Sequence, residues 1–140
     1  MAGYSGTPLP KKLGIREGLR VALIGAPEGF ESILDPLPAK VTLARRIGPP
    51  PLDVILFFTK RRADLEKRFP SLAAAVAPSG GLWIAWPKKS SGVPTDLTET
   101  VVREIGLASG LVDNKVCAVD DVWSGLRFVV RLKDRPQTLR

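Results

Sequence analysis

Three uninterrupted apolar segments constrain the fold of this chain more than any other feature of its sequence. Residues 20–25, 53–58 and 82–86 are short and almost wholly apolar, without the alternation of a half-exposed strand. Each is therefore predicted to be a strand buried on both faces of a sheet. The segments between them are long enough for the right-handed crossovers that connect parallel strands. We predict a three-layer α/β protein with a mainly parallel sheet of about six strands and helices on both faces.

Weaker signals mark the two edges of this sheet. Residues 40–47 alternate between apolar and polar side chains, which indicates an edge strand. Its apolar side chains on one face are Val41, Leu43 and Ile47. Residues 112–119 and 126–132 flank the turn sequence VWSG at residues 122–125 and predict a C-terminal antiparallel hairpin.

Two amphipathic helices are predicted from apolar residues that recur at helical spacing. The inner face of the first consists of Leu65, Phe69, Leu72, Ala73 and Val76. The inner face of the second consists of Leu97, Val101, Ile105 and Ala108. PSGG at residues 78–81 is predicted to end the first helix, and Thr95 or Asp96 to cap the second. Thr7 is the predicted cap of a short N-terminal helix.

The length of the chain, 140 residues, is that of one ordinary domain. We predict a single domain over residues 1–140, with residues 1–15 as an N-terminal extension whose order the sequence leaves open. No apolar run approaches the roughly 18 residues that span a membrane, and residues 1–20 contain no signal-peptide core. We therefore expect a cytoplasmic protein without a membrane partner, and the sequence leaves its oligomeric state open.

The rare residue types limit the chemistry that this chain can perform. It contains no histidine and one cysteine, Cys117, which excludes an internal disulfide, a cysteine-based zinc cage and a histidine base. The formal net charge of +7 indicates an anionic partner, whether a nucleotide, a nucleic acid, an acidic metabolite or an acidic protein surface. Charge alone does not choose among these partners.

In an open parallel sheet, ligands bind beyond the carboxyl ends of the strands. This rule gathers four loops at one rim and predicts a ligand-binding set there, with no catalytic or metal-binding residue. The predicted residues are Gly25, Pro27, Glu28, Gly29, Thr59, Trp86, Lys88, Lys89, Ser90, Asp120 and Trp123. The two lysines and Ser90 suit an anion. Trp123 is expected either to be partly exposed there, where it could stack on a planar ligand, or to close the end of the core. Asp120 has an alternative role, because carboxylates before a turn usually accept hydrogen bonds from local amides.

Three segments resemble class I methyltransferases of the Rossmann-like type. GLRVALIG at residues 18–25 resembles their first strand and glycine loop, DVILFF at 53–58 their aspartate-led strand, and APSGGLWI at 77–84 a helix end with its following strand. This resemblance implies a Rossmann-like fold and S-adenosylmethionine as a candidate cofactor.

Five short motifs resemble a bacterial family of small proteins of unknown function, a likeness that implies no activity. These motifs are YSGTPL at residues 4–9, KKLGI at 11–15, WPKK at 86–89, TDLT at 95–98 and VWSGL at 122–126.

The chain departs from the methyltransferase pattern at the expected cofactor loop. Leu23 replaces the acidic residue that opens this loop, and Pro27 takes the place of a glycine and offers no amide donor. Glu28 would bring negative charge near a cofactor carboxylate. Arg45 and Arg46 follow the next strand, where the resemblance implies an acid for the ribose hydroxyls, and arginine suits a phosphate better.

The sequence therefore favours a non-catalytic binding or regulatory domain for an anionic or nucleotide-like ligand. Two alternatives remain: a divergent S-adenosylmethionine-dependent enzyme, and a nucleic-acid or protein-interaction module.

Overall fold

The computed structural model describes residues 7–135, which form a six-stranded sheet with the order β2-β1-β3-β4-β6-β5. The strands are β1 (Arg20–Ile24), β2 (Thr42–Ala44), β3 (Leu52–Phe58), β4 (Val76–Pro87), β5 (Leu111–Ala118) and β6 (Trp123–Val130). The α-helices are α1 (Leu9–Lys12), α2 (Arg62–Ala75) and α3 (Glu99–Ala108), and 3₁₀ helices span Phe30–Leu34, Lys89–Ser91 and Leu132–Asp134. Strands β1 to β4 pair in parallel, while β6 is antiparallel to both β4 and β5. The predicted α/β fold, with its C-terminal antiparallel hairpin, is confirmed.

The two faces of the sheet are covered unequally. Helices α2 and α3 cover one face, where Phe69 and Val102 are fully buried. The one-turn helix α1 and the first 3₁₀ helix cover the other face, with Leu13 and Phe30 in its core. Helices thus lie on both faces as predicted, but the second layer is thin.

Part of the N-terminal extension belongs to the thin layer and is hydrogen-bonded to the sheet. The indole of Trp83 donates a hydrogen bond to the Leu13 carbonyl at 3.0 Å, and Lys115 Nζ donates to the Lys12 carbonyl at 3.2 Å. Pro8, not Thr7, occupies the N-cap position of α1, without a side-chain cap. Residues 1–6, which include the first residues of the YSGTPL motif, lie outside the described residues.

The prediction that residues 78–81 end the first long helix is wrong. Helix α2 ends at Ala75, and Val76 already has an extended backbone and pairs with Leu52 of β3. Gly80 lies inside β4 so close to β3 that a Cβ atom there would overlap the Asp53 carbonyl. Gly80 therefore permits close contact between β3 and β4 instead of marking a loop.

The predicted cap of α3 is also wrong. Thr98 is the N-cap, and its hydroxyl accepts a hydrogen bond from the Val101 amide at 3.2 Å. Asp96 instead accepts one from the Arg62 amide at 2.7 Å, at the first turn of α2. Thr95 donates its hydroxyl to the Lys60 carbonyl at 2.6 Å. Both predicted caps therefore bind the loop before α3 to the start of α2.

Two predicted apolar faces need correction as well. In α3, Ala108 is exposed and Val102 is fully buried, whereas Ile105 is buried as predicted. Strand β2 lies at the sheet edge as predicted, but it ends at Ala44. Because alternation stops there, Ile47 packs against the core on the face opposite to that of Leu43. No helix within residues 7–135 is long and apolar enough to cross a membrane.

Candidate functional site

A cleft of about 640 Å³, here called the rim cleft, opens where the carboxyl ends of β1 and β3 meet the start of β6. Its lining residues are Gly25, Pro27, Phe58, Thr59, Lys60, Arg61, Ala63, Asp64, Lys67 and Trp123. They come from the loop after β1, the end of β3, the first turns of α2 and the start of β6. This is the edge at which a parallel sheet of this kind receives its ligands.

Three aromatic rings pack edge to face at the base of the rim cleft, and two of them, Phe58 and Trp123, line it. The ring centroids of Phe30 and Phe58 are 4.9 Å apart, and those of Phe58 and Trp123 are 5.1 Å apart. The expectation that Trp123 is partly exposed is wrong, because only 8% of it is accessible. Because Trp123, Ser124 and Gly125 form the start of β6 instead of a turn, Trp123 lies within the sheet and packs on Phe58.

Gly25 allows the loop after β1 to pass close to β3. Its φ is +71°, and an added Cβ atom would lie 2.9 Å from the Phe58 carbonyl oxygen. Only glycine adopts this backbone without strain at such a distance. The loop therefore presents its backbone, unshielded by a side chain at this position, to the cleft.

Thr59 and Asp64 form a hydrogen-bonded pair on the wall of the rim cleft. The buried Thr59 hydroxyl donates to Asp64 Oδ2 at 2.9 Å and accepts from the Arg61 amide at 3.3 Å. The Thr59 amide is itself anchored to the Ala85 carbonyl at 3.0 Å. This arrangement fixes a carboxylate of the first turn of α2 at the edge of the cleft.

The electrostatic character of the rim cleft favours an anion. Lys60, Arg61 and Lys67 are exposed along it, and none of them belongs to an ion pair within residues 7–135. Asp64 is the one acidic side chain among the described lining residues. Three unpaired cations against one carboxylate attract negative charge.

Four predicted site residues, Gly25, Pro27, Thr59 and Trp123, share the rim cleft. Glu28 and Gly29 belong to the loop after β1, together with Gly25 and Pro27, but they do not line the rim cleft. Gly29, with φ of +81°, instead precedes the first 3₁₀ helix, and its carbonyl accepts a hydrogen bond from the Ser32 hydroxyl at 2.8 Å.

Trp86, Lys88 and Lys89 line a separate cavity of about 590 Å³ beside α3, here called the lysine cavity. Trp86 belongs to the core under α2 and α3, so the chain that follows it emerges on that side of the sheet. The Lys88 amide is held by the Val122 carbonyl at 2.8 Å. Ser90 lies exposed in the 3₁₀ helix that follows. Seven of the predicted residues thus lie in two separate cavities, while Glu28, Gly29, Ser90 and Asp120 line neither of them.

Asp120 binds its own turn. Its Oδ1 atom accepts hydrogen bonds from the amides of Val122 and Trp123, each at 2.8 Å. The carboxylate therefore positions the start of β6, which corresponds to the alternative role considered for it.

Sequence reasoning missed Phe58, Asp64 and Lys67 as cleft residues. Asp64 and Lys67 lie about one helical turn apart near the start of α2, the helix that follows β3 and Thr59. The sequence position of Asp64 and Lys67 could have predicted them as cleft residues. The first turns of a helix that follows a parallel strand lie at the same rim as the end of that strand.

The end of β2 carries an ion pair where the resemblance implies a lone acid. Arg45 Nη2 lies 2.6 Å from Glu31 Oε1, so a carboxylate from the first 3₁₀ helix reaches this strand end. Both side chains are substantially exposed.

Cys117 lies half-buried on the thin-layer side of the sheet. Burial raises the pKa of its thiol, and nearby Lys12 and Lys115 offset part of that rise. A raised pKa leaves the thiol protonated and unreactive near neutral pH.

Comparisons with known proteins place the fold. A methyltransferase from Aquifex aeolicus that depends on S-adenosylmethionine has a TM-score of 0.64 and 17% identity, over 86% of this chain and 87% of that chain. The DhpI complex with S-adenosylhomocysteine has a TM-score of 0.63 and 14% identity, over 89% and 83% of the two chains. The magnesium protoporphyrin IX methyltransferase of Synechocystis, with bound S-adenosylhomocysteine, gives 0.57 and 13%, over 82% and 75%.

This chain therefore has the Rossmann-like methyltransferase fold. No protein-family model and no curated protein matches it. Membership of the small bacterial family accordingly stays a prediction.

Proposed function

We propose that the protein binds S-adenosylmethionine in the rim cleft and transfers its methyl group to an acceptor. The observation that carries this proposal is the concave site at the carboxyl ends of β1 and β3, bordered by Gly25 and Thr59, in a fold shared with methyltransferases. Two of the similar structures hold S-adenosylhomocysteine. These comparisons support the enzymatic alternative of the sequence analysis better than its non-catalytic first reading.

The residues of the cleft fit such a cofactor in two respects. A volume of about 640 Å³ lies within the range of small-molecule sites, and Gly25 leaves the backbone of the first loop open to close approach. When bound, the cofactor would supply an electrophilic methyl group; the acceptor would lose a proton, and S-adenosylhomocysteine would be the leaving group.

Asp64 is the residue we propose to receive that proton. It is the acidic side chain on the cleft wall, and the Thr59 hydroxyl fixes one of its oxygens at 2.9 Å. A carboxylate held in this way keeps its other oxygen oriented for an acceptor group without losing side-chain freedom during the reaction. The remaining contribution of the chain is to bring the two reactants together on the aromatic base of the cleft.

A second candidate, a non-catalytic domain for a phosphorylated nucleotide, is favoured by the cations of the cleft. Lys60, Arg61 and Lys67 would bind phosphate oxygens. Parallel titrations distinguish the two candidates: tighter binding of S-adenosylhomocysteine than of ATP supports the methyltransferase, and the reverse order supports the second candidate.

Isothermal titration calorimetry with S-adenosylhomocysteine tests the proposal. We expect Gly25→Ala to weaken binding by about tenfold or more, because the new Cβ atom would meet the Phe58 carbonyl and displace the loop. Gly110→Ala is the matched control: Gly110 has φ of +94° and open space around it, so the backbone strain is similar without the contact. Unchanged affinity in Gly25→Ala, or no binding by the unmodified protein, would contradict the proposal.

A further inference from the structure

We propose that the methyl acceptor is a single-stranded nucleic acid bound along the rim, an inference that rests on the function proposed above. Three concave surfaces lie side by side: the rim cleft, a middle cavity of about 550 Å³ and the lysine cavity. The middle cavity shares Lys60 and Arg61 with the rim cleft, and Pro94 and Thr95 with the lysine cavity. A ligand that extends along the rim therefore contacts all three surfaces.

The cations of these surfaces are available for an external anion. They are Lys60, Arg61, Lys67, Lys88 and Lys89. The ion pairs within residues 7–135 use other cations, namely Arg45, Arg62 and Arg103. Cations without internal partners attract anions, and a series of them suits the regularly spaced phosphates of a polyanion better than one small anion.

The carboxylates on the same surfaces are already held by other groups of the protein. They are Asp64, Asp96 and Glu99. The first accepts the Thr59 hydroxyl, the second accepts the Arg62 amide, and the third pairs with Arg103 at 2.6 Å. The five cations of these surfaces outnumber the three carboxylates, one of which pairs with Arg103, so the net charge along the rim is positive.

The shape of the rim favours a single strand over a duplex. Its surfaces are concave and bordered by loops, whereas a protein that reads a duplex inserts a protruding helix or β-ribbon into the major groove. An enzyme that modifies a base also needs that base outside the helical stack. Trp86 and Trp123 are only 5% and 8% exposed, so stacking contributes little and phosphate contacts dominate the affinity. Binding should therefore depend strongly on salt.

Fluorescence anisotropy with a labelled RNA of about 12 nucleotides, in rising sodium chloride, tests the inference. We expect Lys88→Ser with Lys89→Ser to weaken binding about tenfold and to make the slope of log affinity against log salt shallower by about 1.4, the value for two lost phosphate contacts. Lys11→Ser with Lys133→Ser makes the same change in charge at exposed residues that are on none of the three surfaces. This control should change affinity by about twofold at most.

Calorimetry with S-adenosylhomocysteine on the same samples separates this inference from the proposed function. Cofactor binding without RNA binding overturns the nucleic-acid inference alone, and RNA binding without cofactor binding overturns methyl transfer. Equal weakening by the two lysine pairs, or tighter binding of a duplex of the same sequence, also overturns the inference. The inference is supported if Lys88→Ser with Lys89→Ser weakens RNA binding more than the control pair does and leaves the affinity for S-adenosylhomocysteine unchanged.

Discussion

Because glycine has no side chain, it permits several of the closest contacts in this protein. Gly25 lies against the Phe58 carbonyl, Gly80 against that of Asp53, and Gly106 against the ring of Phe128. At Gly80 and Gly106 the glycine is required by the neighbouring element and not by a turn, whereas Gly25 is required both by the nearby Phe58 carbonyl and by its positive φ. Such contacts are absent from any local pattern in the sequence, because the atom that demands the glycine lies on a distant segment.

Gly106→Ala tests this in the last turn of α3. Alanine is the better helix former by about 1 kcal/mol, but a Cβ atom at this position would overlap the buried Phe128 ring. We expect the overlap to prevail and to reduce the free energy of unfolding by about 1–3 kcal/mol in urea titrations. Gly48→Ala is the control, since open space surrounds Gly48, and it should be neutral or slightly stabilising. Stabilisation by Gly106→Ala would contradict the packing described for α3 and β6.

Among the helices, α3 shows most clearly how side chains of the helix itself stabilise it. Thr98 accepts the Val101 amide at its start, and Arg103 pairs with Glu99 one turn earlier, at 2.6 Å, and with Asp113 of β5, at 2.9 Å. These contacts lie at the surface, so the ion pairs add little. The cap satisfies an amide that has no partner within the helix.

Thr98→Ala should reduce the free energy of unfolding by about 1 kcal/mol, the usual value of a hydroxyl cap. Thr100→Ala makes the same chemical change two residues further, at an exposed position inside α3. It should instead stabilise the protein by a few tenths of a kcal/mol, roughly the difference in helix propensity. Thermal or chemical denaturation of the two variants measures both effects, and equal effects would show that Thr98 is not the cap.

The strands were predictable from sequence, whereas the caps and the ends of α2 and β4 were not. Continuous apolar runs predict β1 and β3, because a strand that is buried on both faces of a sheet is apolar at successive positions. At residues 76–81 the sequence offers proline, serine and glycine, the residues of a loop, yet pairing with β3 keeps the segment extended. Thr95 and Asp96 have the local sequence pattern of a helix N-cap, but this pattern does not show which helix the two residues contact.

At the scale of the whole molecule, topology brings the site together and also divides it. The rule that ligands meet parallel strands at their carboxyl ends places Gly25, Thr59 and Trp123 at one edge of the sheet, and all three line the rim cleft. It does not reveal that Trp86 faces the α2 and α3 side, which places Lys88 and Lys89 in the neighbouring cavity. That separation depends on side-chain direction at the end of β4 and on the loop that Thr95 binds to Lys60.

Amide and indole chemical shifts of ¹⁵N-labelled protein, recorded as S-adenosylhomocysteine is added, test the central claim most directly. The account predicts that the largest changes fall on Gly25, on residues 59–67 and on the indole of Trp123, which lines the rim cleft. The indole of Trp83 should stay unchanged, because it is buried and bound to the Leu13 carbonyl. Changes confined to residues 88–91, or no change at a saturating concentration for known methyltransferases, would contradict the claim that the rim cleft is the cofactor site.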